Sequence, residues 1–233
     1  GGDDLFLPGK ISAQVAVMEN DPDIVLCYHD VEVFNSEDNR TLEYRNKGPR
    51  SAKPVVGLAG HVAQALVAKG NSFVAAMSVM VRRDAIPPSG YDFRVPVGSD
   101  WLMWIEVLAS APEGSRVEFI PQVLARYRRH ERNVTGAGYK QLADPLVTAA
   151  LVEHKYPHLL HAVDQFRAYY RYALGVSSIL QGDGSLGRHF LLRSLRVGWY
   201  SYKWLYWFMR SLVPAYRMGK SSKQSDLSQK QSR

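Results

Sequence analysis

The side chains of this chain that are able to do chemistry are carboxylates, a histidine and a run of arginines. Asp100 is central among them. It stands in GYDFRVPVGSDWLMWIE (residues 90–106), just ahead of Trp101, Leu102, Ile105 and Leu108, whose spacing predicts a helix. A carboxylate at the N-terminus of a packed helix faces a cleft and can accept a proton, and the helix dipole there favours its ionised form. The competing reading is that Ser99 or Asp100 only caps the helix. Asp3 and Asp4 adjoin at the start of the chain, ahead of Pro8. Such a pair can bind a divalent cation through oxygen when a phosphate supplies other ligands, although by spacing alone it reads more readily as a solvated turn. RYRRHERNVT (residues 126–135) sets His130 beside Arg126, Arg128 and Arg129.

The elements that must position these groups alternate between strand and helix patterns in the first part of the chain. Ile11, Val15 and Met18 predict a helix. DPDIVLCYHDVEVF (21–34) predicts a turn and a strand in which Ile24, Leu26 and Tyr28 alternate. Residues 35–53 are polar without periodicity and predict an irregular excursion, and Val62, Ala65, Leu66 and Ala68 predict a helix within 54–69. FVAAMSVMV (73–81) predicts a buried strand, and 114–128 a second one bent or edged at Pro121. From about Gln141 the pattern is helical: 142–160, 162–180, a break at Gly182-Asp183-Gly184, then 186–213. The last residues, rich in Ser, Gln and Lys, predict disorder.

Composition narrows the class. At 233 residues, with 46% hydrophobic and 22% charged side chains, the chain suits one α/β domain with extra helices or two small domains. The single cysteine, Cys27, excludes an internal disulfide and a thiolate metal cluster, and predicts a core thiol in a reducing compartment. No apolar run approaches the ~20 residues that cross a bilayer, and no signal-peptide pattern opens the chain. The expectation is a chain neither integral to a membrane nor exported. Charge is uneven: residues 1–120 hold 11 basic and 16 acidic side chains, residues 121–233 hold 18 and 6. An anionic partner therefore belongs with the second half.

In order along the chain, GDDLFLPGKISAQ (2–14), DPDIVLCYHDVEVF (21–34), SVMVRRDAI (78–86), GYDFRVPVGSDWLMWIEVLA (90–109) and YRRHERNVT (127–135) resemble the second half of family 2 glycosyltransferases. The resemblance covers roughly residues 1–135 and implies an α/β GT-A fold, a Rossmann-like mixed sheet flanked by helices and truncated at its N-terminus. It implies inverting transfer of a sugar from a nucleotide-sugar donor to a glycan or lipid-linked acceptor in bacterial cell-surface polysaccharide assembly, with Mg²⁺ or Mn²⁺ as cofactor. Asp100 matches the family's catalytic base. Asp3 matches the second carboxylate of its metal-binding DxD motif, whose first position here is Gly1. His130 matches a histidine near the donor phosphates, as metal or diphosphate ligand, with Arg128 adding charge. Ser78 matches a segment lining the sugar site, and Tyr91 and Asp92 lie in a loop that shapes the acceptor pocket. Trp101 and Trp104 are of a type that stacks on sugar rings, but Trp at helical spacing is more often core.

The resemblance sets the domains as 1–135, a partial catalytic domain, 136–215, a helical extension, and 216–233, a basic tail. The missing nucleotide-binding half and the start at Gly1 predict that the chain is a fragment. Taken as one helix, the extension would place Arg193, Arg196, Lys203, Arg210 and Arg217 on one stripe, with Leu191, Leu195, Leu205, Phe208, Met209 and Leu212 opposite. That pattern fits a helix lying on an anionic membrane surface, or an amphipathic helix packed on its own domain. The expected location is peripheral, on the cytoplasmic face of the membrane. No nucleic-acid motif accompanies the basic charge, so nucleic acid is not the expected partner. The rival to an enzyme is a non-catalytic membrane-surface interaction protein keeping part of the same fold.

Overall fold

A computed structural model describes residues 3–49, 51–130, 140–195 and 202–212, with the backbone alone at 140–142. The chain forms two compact units, Gly1–Arg167 and Ala168–Arg233. The first unit therefore extends past the boundary expected at residue 135.

That unit is α/β, built on a mixed six-stranded sheet. β1 (Leu5–Phe6), β6 (Arg116–Arg129), β2 (Ile24–Asn35) and β3 (Thr41–Tyr44) lie side by side in that order, while β4 (Gly57–Leu58) pairs with β6 and β5 (Met80–Val81) with β2. The sheet is compatible with a Rossmann-like fold. Its backbone is the parallel pair β2 and β6, running from Ile24 beside Arg116 to Asn35 beside Arg129. β2 is buried along almost its whole length, Tyr28, Val31 and Val33 completely. It does not alternate because both of its faces are covered, as in parallel sheets generally. Its buried polar residue Asp30 is satisfied locally: Oδ1 accepts the backbone N–H groups of Val31 and Asn46, each at 2.8 Å. Between the pairs His29–Ile120 and Asp30–Val123 the register advances by two extra residues of β6, Pro121 and Gln122. Pro121 has no N–H to give the ladder, and the expected bend falls there.

Two expected elements differ. β3 forms inside the stretch read as irregular, because Asn39 takes a left-handed backbone (φ 57°) and the Asn35 N–H reaches the Arg40 carbonyl at 2.9 Å, folding the chain back on β2. In 73–81 only Met80 and Val81 pair with a strand. Phe73, Val74 and Ala75 are buried without pairing, and Ala76–Ser78 is one 3-10 turn.

α1 (Lys10–Asn20), α2 (Ala59–Lys69) and α3 (Ser99–Ala109) come before β6 in the chain; α2 packs on both β6 and α3. α3 buries eight successive residues, Trp101 to Leu108. α4 (Lys140–Lys155) closes on α3 through a 2.6 Å ion pair from Lys155 Nζ to the buried Glu106. The start of α5 (Leu160–Leu180) belongs to the same core, where Phe166 packs on Trp101 with ring centroids 5.5 Å apart. These contacts are why the first unit reaches Arg167.

The second unit holds the rest of α5 with α6 (Gly184–Leu195) and α7 (Tyr202–Leu212). The break at Gly182-Asp183-Gly184 is as expected, and Asp183 caps α6 by accepting the Leu186 N–H at 2.9 Å. The single helix expected over 186–213 is instead two. Gly187 lets α6 approach α5 so closely that a Cβ there would collide with Ile179. α7 packs on α6, with Trp204 donating its indole N–H to the Leu191 carbonyl at 2.9 Å and stacking on Phe208. The basic stripe is thereby divided between two helices, and Arg196, Arg217 and the tail 216–233 lie outside the described residues. No described helix is long and apolar enough to cross a membrane.

Candidate functional site

The carboxyl ends of the two central parallel strands carry the candidate site. β1 runs antiparallel to β6, with Leu5 opposite Arg126 and Phe6 opposite Ala125, so the residues before it extend along the end of β6 toward His130. There the Asp3 carboxylate meets His130, Oδ2 to Nε2 at 3.2 Å. Arg128 ties the segment down, its Nε–H donating to the Asp3 carbonyl at 3.0 Å and its backbone N–H to Asp4 Oδ1 at 3.2 Å. Burial raises the Asp4 carboxyl above the usual range against the Arg128 N–H, which favours its charge. The Asp3 side chain remains 63% exposed, so this carboxylate is presented to solvent. Gly1, the first position of the expected motif, lies outside the described residues, as do Glu131 to Thr135.

A second layer supports the strand ends. Arg126 grips Glu32 with two bonds, Nε to Oε2 at 2.9 Å and a terminal nitrogen to Oε1 at 3.2 Å, and its guanidinium lies 4.1 Å from the Phe34 ring centre. Burial acts to raise the Glu32 carboxyl, but the hydrogen bonds from Arg126 and Thr41 and the Arg126 charge prevail and hold it below the ordinary glutamate range. Arg129 pairs with Glu43 at 3.0 Å. Glu43 also borders a cavity of about 770 Å³ beside β3, whose wall includes Arg45, Lys47, Ser51 and Ser72. The Arg45 Nε–H is buried without an acceptor among the described residues, a donor suited to an anion. Sequence reading missed this cavity, because its wall comes from the stretch without periodicity.

Asp100 lies in the first turn of α3, half-buried, with Oδ1 accepting the Trp101 N–H at 2.8 Å. It is not the N-cap. Gly98 holds that position without a side-chain cap, and the segment leading into the helix is held from α4 by Asp144, buried at 5% exposure, whose Oδ2 accepts the Val97 and Gly98 N–H groups at 2.6 and 2.9 Å. No local signal in QLADPLV points to a helix start 46 residues away. Burial raises the Asp100 carboxyl above the ordinary aspartate range and outweighs the helix N–H groups, opposite to what the helix dipole alone predicts. Among the described residues no hydrogen bond or ion pair joins Asp100 to the Asp3–His130 pair.

The other candidates separate into exposed and enclosed. Tyr91 is 49% exposed and Phe93 91% exposed, on either side of Asp92, which is held by Arg94 through Nε and a terminal nitrogen at 2.6 Å. That loop leads directly into Asp100 and offers two aromatic faces. Ser78 is fully buried, its hydroxyl donating to the Ala75 carbonyl at 2.7 Å, so it holds the 3-10 turn and offers a ligand no surface. Trp101 is 6% exposed and donates to the Leu66 carbonyl at 2.8 Å, which makes it core between α2 and α3 and not a wall of an acceptor site.

Comparison with protein-family models, with curated proteins and with solved structures finds no match to this chain.

Proposed function

We propose that the chain serves inverting glycosyl transfer from a nucleoside-diphosphate sugar to a hydroxyl of a glycan or lipid-linked acceptor, on a GT-A-like first unit. The observation that carries this reading is the meeting of Asp3 with His130, 127 positions apart, outside the carboxyl ends of β2 and β6. That end of an open α/β sheet is where such folds bind ligands.

The donor set suits a hard divalent ion. One exposed carboxylate and one imidazole leave the remaining positions to phosphate oxygens and water, the usual way Mg²⁺ is shared between a protein and a diphosphate. Mg²⁺ or Mn²⁺ bound by Asp3 and His130 would supply positive charge to the leaving nucleoside diphosphate. Arg128 fixes the backbone of Asp3 and keeps the pair in register. Asp100 accepts the proton of the acceptor hydroxyl as that oxygen bonds to the anomeric carbon and the carbon–phosphate-oxygen bond breaks. A base half-buried and raised in pKa is better matched to that proton than an ordinary exposed aspartate. Tyr91 and Phe93 provide faces on which an acceptor sugar stacks. The location that goes with this reading is the cytoplasmic face of the cell membrane.

The test is release of nucleoside diphosphate from a panel of sugar nucleotides with Mn²⁺ or Mg²⁺ and a lipid-linked acceptor. Release that requires metal and is lost in Asp3→Ala and His130→Ala supports the reading. Silence with every donor, from this chain and from the product of its complete gene alike, each shown to be folded, would sink it and favour the non-catalytic surface role.

A further inference from the structure

α7 is apolar on two opposite sides, and among the described residues only one of them is packed. Its inward side, Trp204, Phe208 and Ser211, packs in the second unit, where the Ser211 carbonyl also accepts from Arg188 at 2.6 Å. Its outward side carries Tyr202 (81% exposed), Leu205 (58%), Tyr206 (60%), Met209 (56%) and Leu212 (54%). At 100° per residue those five fall within an arc of about 120°, with Lys203 and Arg210 together along one border of it. A helix this short wastes five large side chains on water unless something covers them.

We propose that this outward face of α7 docks on an anionic lipid bilayer, lying in the plane of the interface. Charge decides in favour of lipid over a second copy. Residues 168–233 hold 11 basic and 2 acidic side chains, so two such units brought face to face repel, whereas anionic headgroups neutralise them. α7 itself contains no acidic residue. Length decides between lying and spanning: 11 residues rise about 16 Å, roughly half of a ~30 Å hydrocarbon core. The tyrosines suit the same depth, with apolar rings inward and hydroxyls toward the headgroups. This face acts independently of sugar transfer, and its binding is read with no donor present.

The experiment is co-sedimentation of the full chain with vesicles of phosphatidylcholine, with and without phosphatidylglycerol. The expected result is binding to the anionic vesicles alone, weakening as salt rises. Leu205→Glu with Met209→Glu, at exposed positions that leave the helical circular dichroism unchanged, should weaken it about tenfold or more. Lys203→Glu with Arg210→Glu should remove the preference for phosphatidylglycerol. As a readout that needs no variant, brominated phosphatidylglycerol should quench the tryptophan fluorescence of the unaltered chain. No binding to anionic vesicles, or equal binding by the Leu205/Met209 variant, overturns the proposal. So does a concentration-dependent dimer that this variant dissolves while vesicles bind neither protein.

Discussion

Asp100 is pulled both ways, and the balance separates a base from a cap. Burial pushes its pKa up and the helix N–H groups push it down, with burial the larger, so its folded pKa lies above the ordinary 3.8. A raised carboxyl pKa means the folded state holds the proton more tightly than the unfolded chain. The ionised carboxylate therefore costs stability, increasingly as pH rises from 3.8 through the folded pKa. Asp100→Asn keeps an oxygen for the Trp101 N–H and removes the charge. Transfer should fall by about 10²- to 10⁴-fold, the span of a general base, while the melting temperature at neutral pH stays level or rises. Near-normal transfer by this variant would remove Asp100 from the chemistry. Asp3 and His130 make a separate prediction: either alanine substitution should weaken Mn²⁺ binding about tenfold or more, followed by the free-ion paramagnetic resonance signal. Undiminished Mn²⁺ affinity would leave the pair as a surface hydrogen bond. Their proximity was legible only through the resemblance, since nothing in the spacing of two residues 127 apart brings them together.

At the scale of elements, the position of Asp100 depends on α4. Asp144 holds the entry of α3 with two hydrogen bonds from a buried carboxylate. Asp144→Ala strands two N–H groups, at a cost of about 1–3 kcal/mol, which for a chain of this size lowers the melting temperature by roughly 2 to 12 °C. Asp144→Asn, which keeps an acceptor, should recover most of that. If alanine were tolerated without loss, the two hydrogen bonds would be incidental. Sequence patterns located most elements but not their faces. α1 was legible from Ile11, Val15 and Met18, yet the helix buries Lys10, Gln14 and Met18 and leaves Ile11 52% exposed. The reason is non-local. Gln14 accepts from Lys10 at 2.7 Å and donates to the Ser78 carbonyl at 2.8 Å, so the polar side finds partners only once 76–78 has folded beneath it. β3 escaped notice for the same reason: its burial pattern is almost wholly exposed, and only pairing with β2 makes it a strand. A helix face or an edge strand defined by distant partners leaves no local periodicity to read.

At the scale of the molecule, the sheet buries titratable groups whose opposing shifts shape stability against pH. His29, 1% exposed, donates through Nδ1 to the Asp30 carbonyl at 2.8 Å, while its Nε2 is buried with no partner among the described residues. Burial lowers its pKa below 6.5, aided by the Lys10 charge and opposed by the Asp30 carbonyl and carboxylate. The unfolded chain therefore takes up this proton first as pH falls below 6.5, and folding loses up to about 1.4 kcal/mol per pH unit until the folded pKa is reached. Glu32 acts lower. Held below its ordinary 4.5 by Arg126 and Thr41 against the effect of burial, it stabilises the fold above 4.5 and gives that up as pH falls through its folded pKa. Asp4 and Asp100, both raised, have the opposite slope above 3.8 and partly mask the Glu32 step, so the difference between variants is the clean observable. In urea unfolding at a series of pH values, His29→Gln should flatten the slope just below pH 6.5 and leave the acid limb intact, and Glu32→Gln should do the reverse. If His29→Gln left the slope below pH 6.5 unchanged, the imidazole would be charged in both states and the β2 interior would be wetter than its burial indicates.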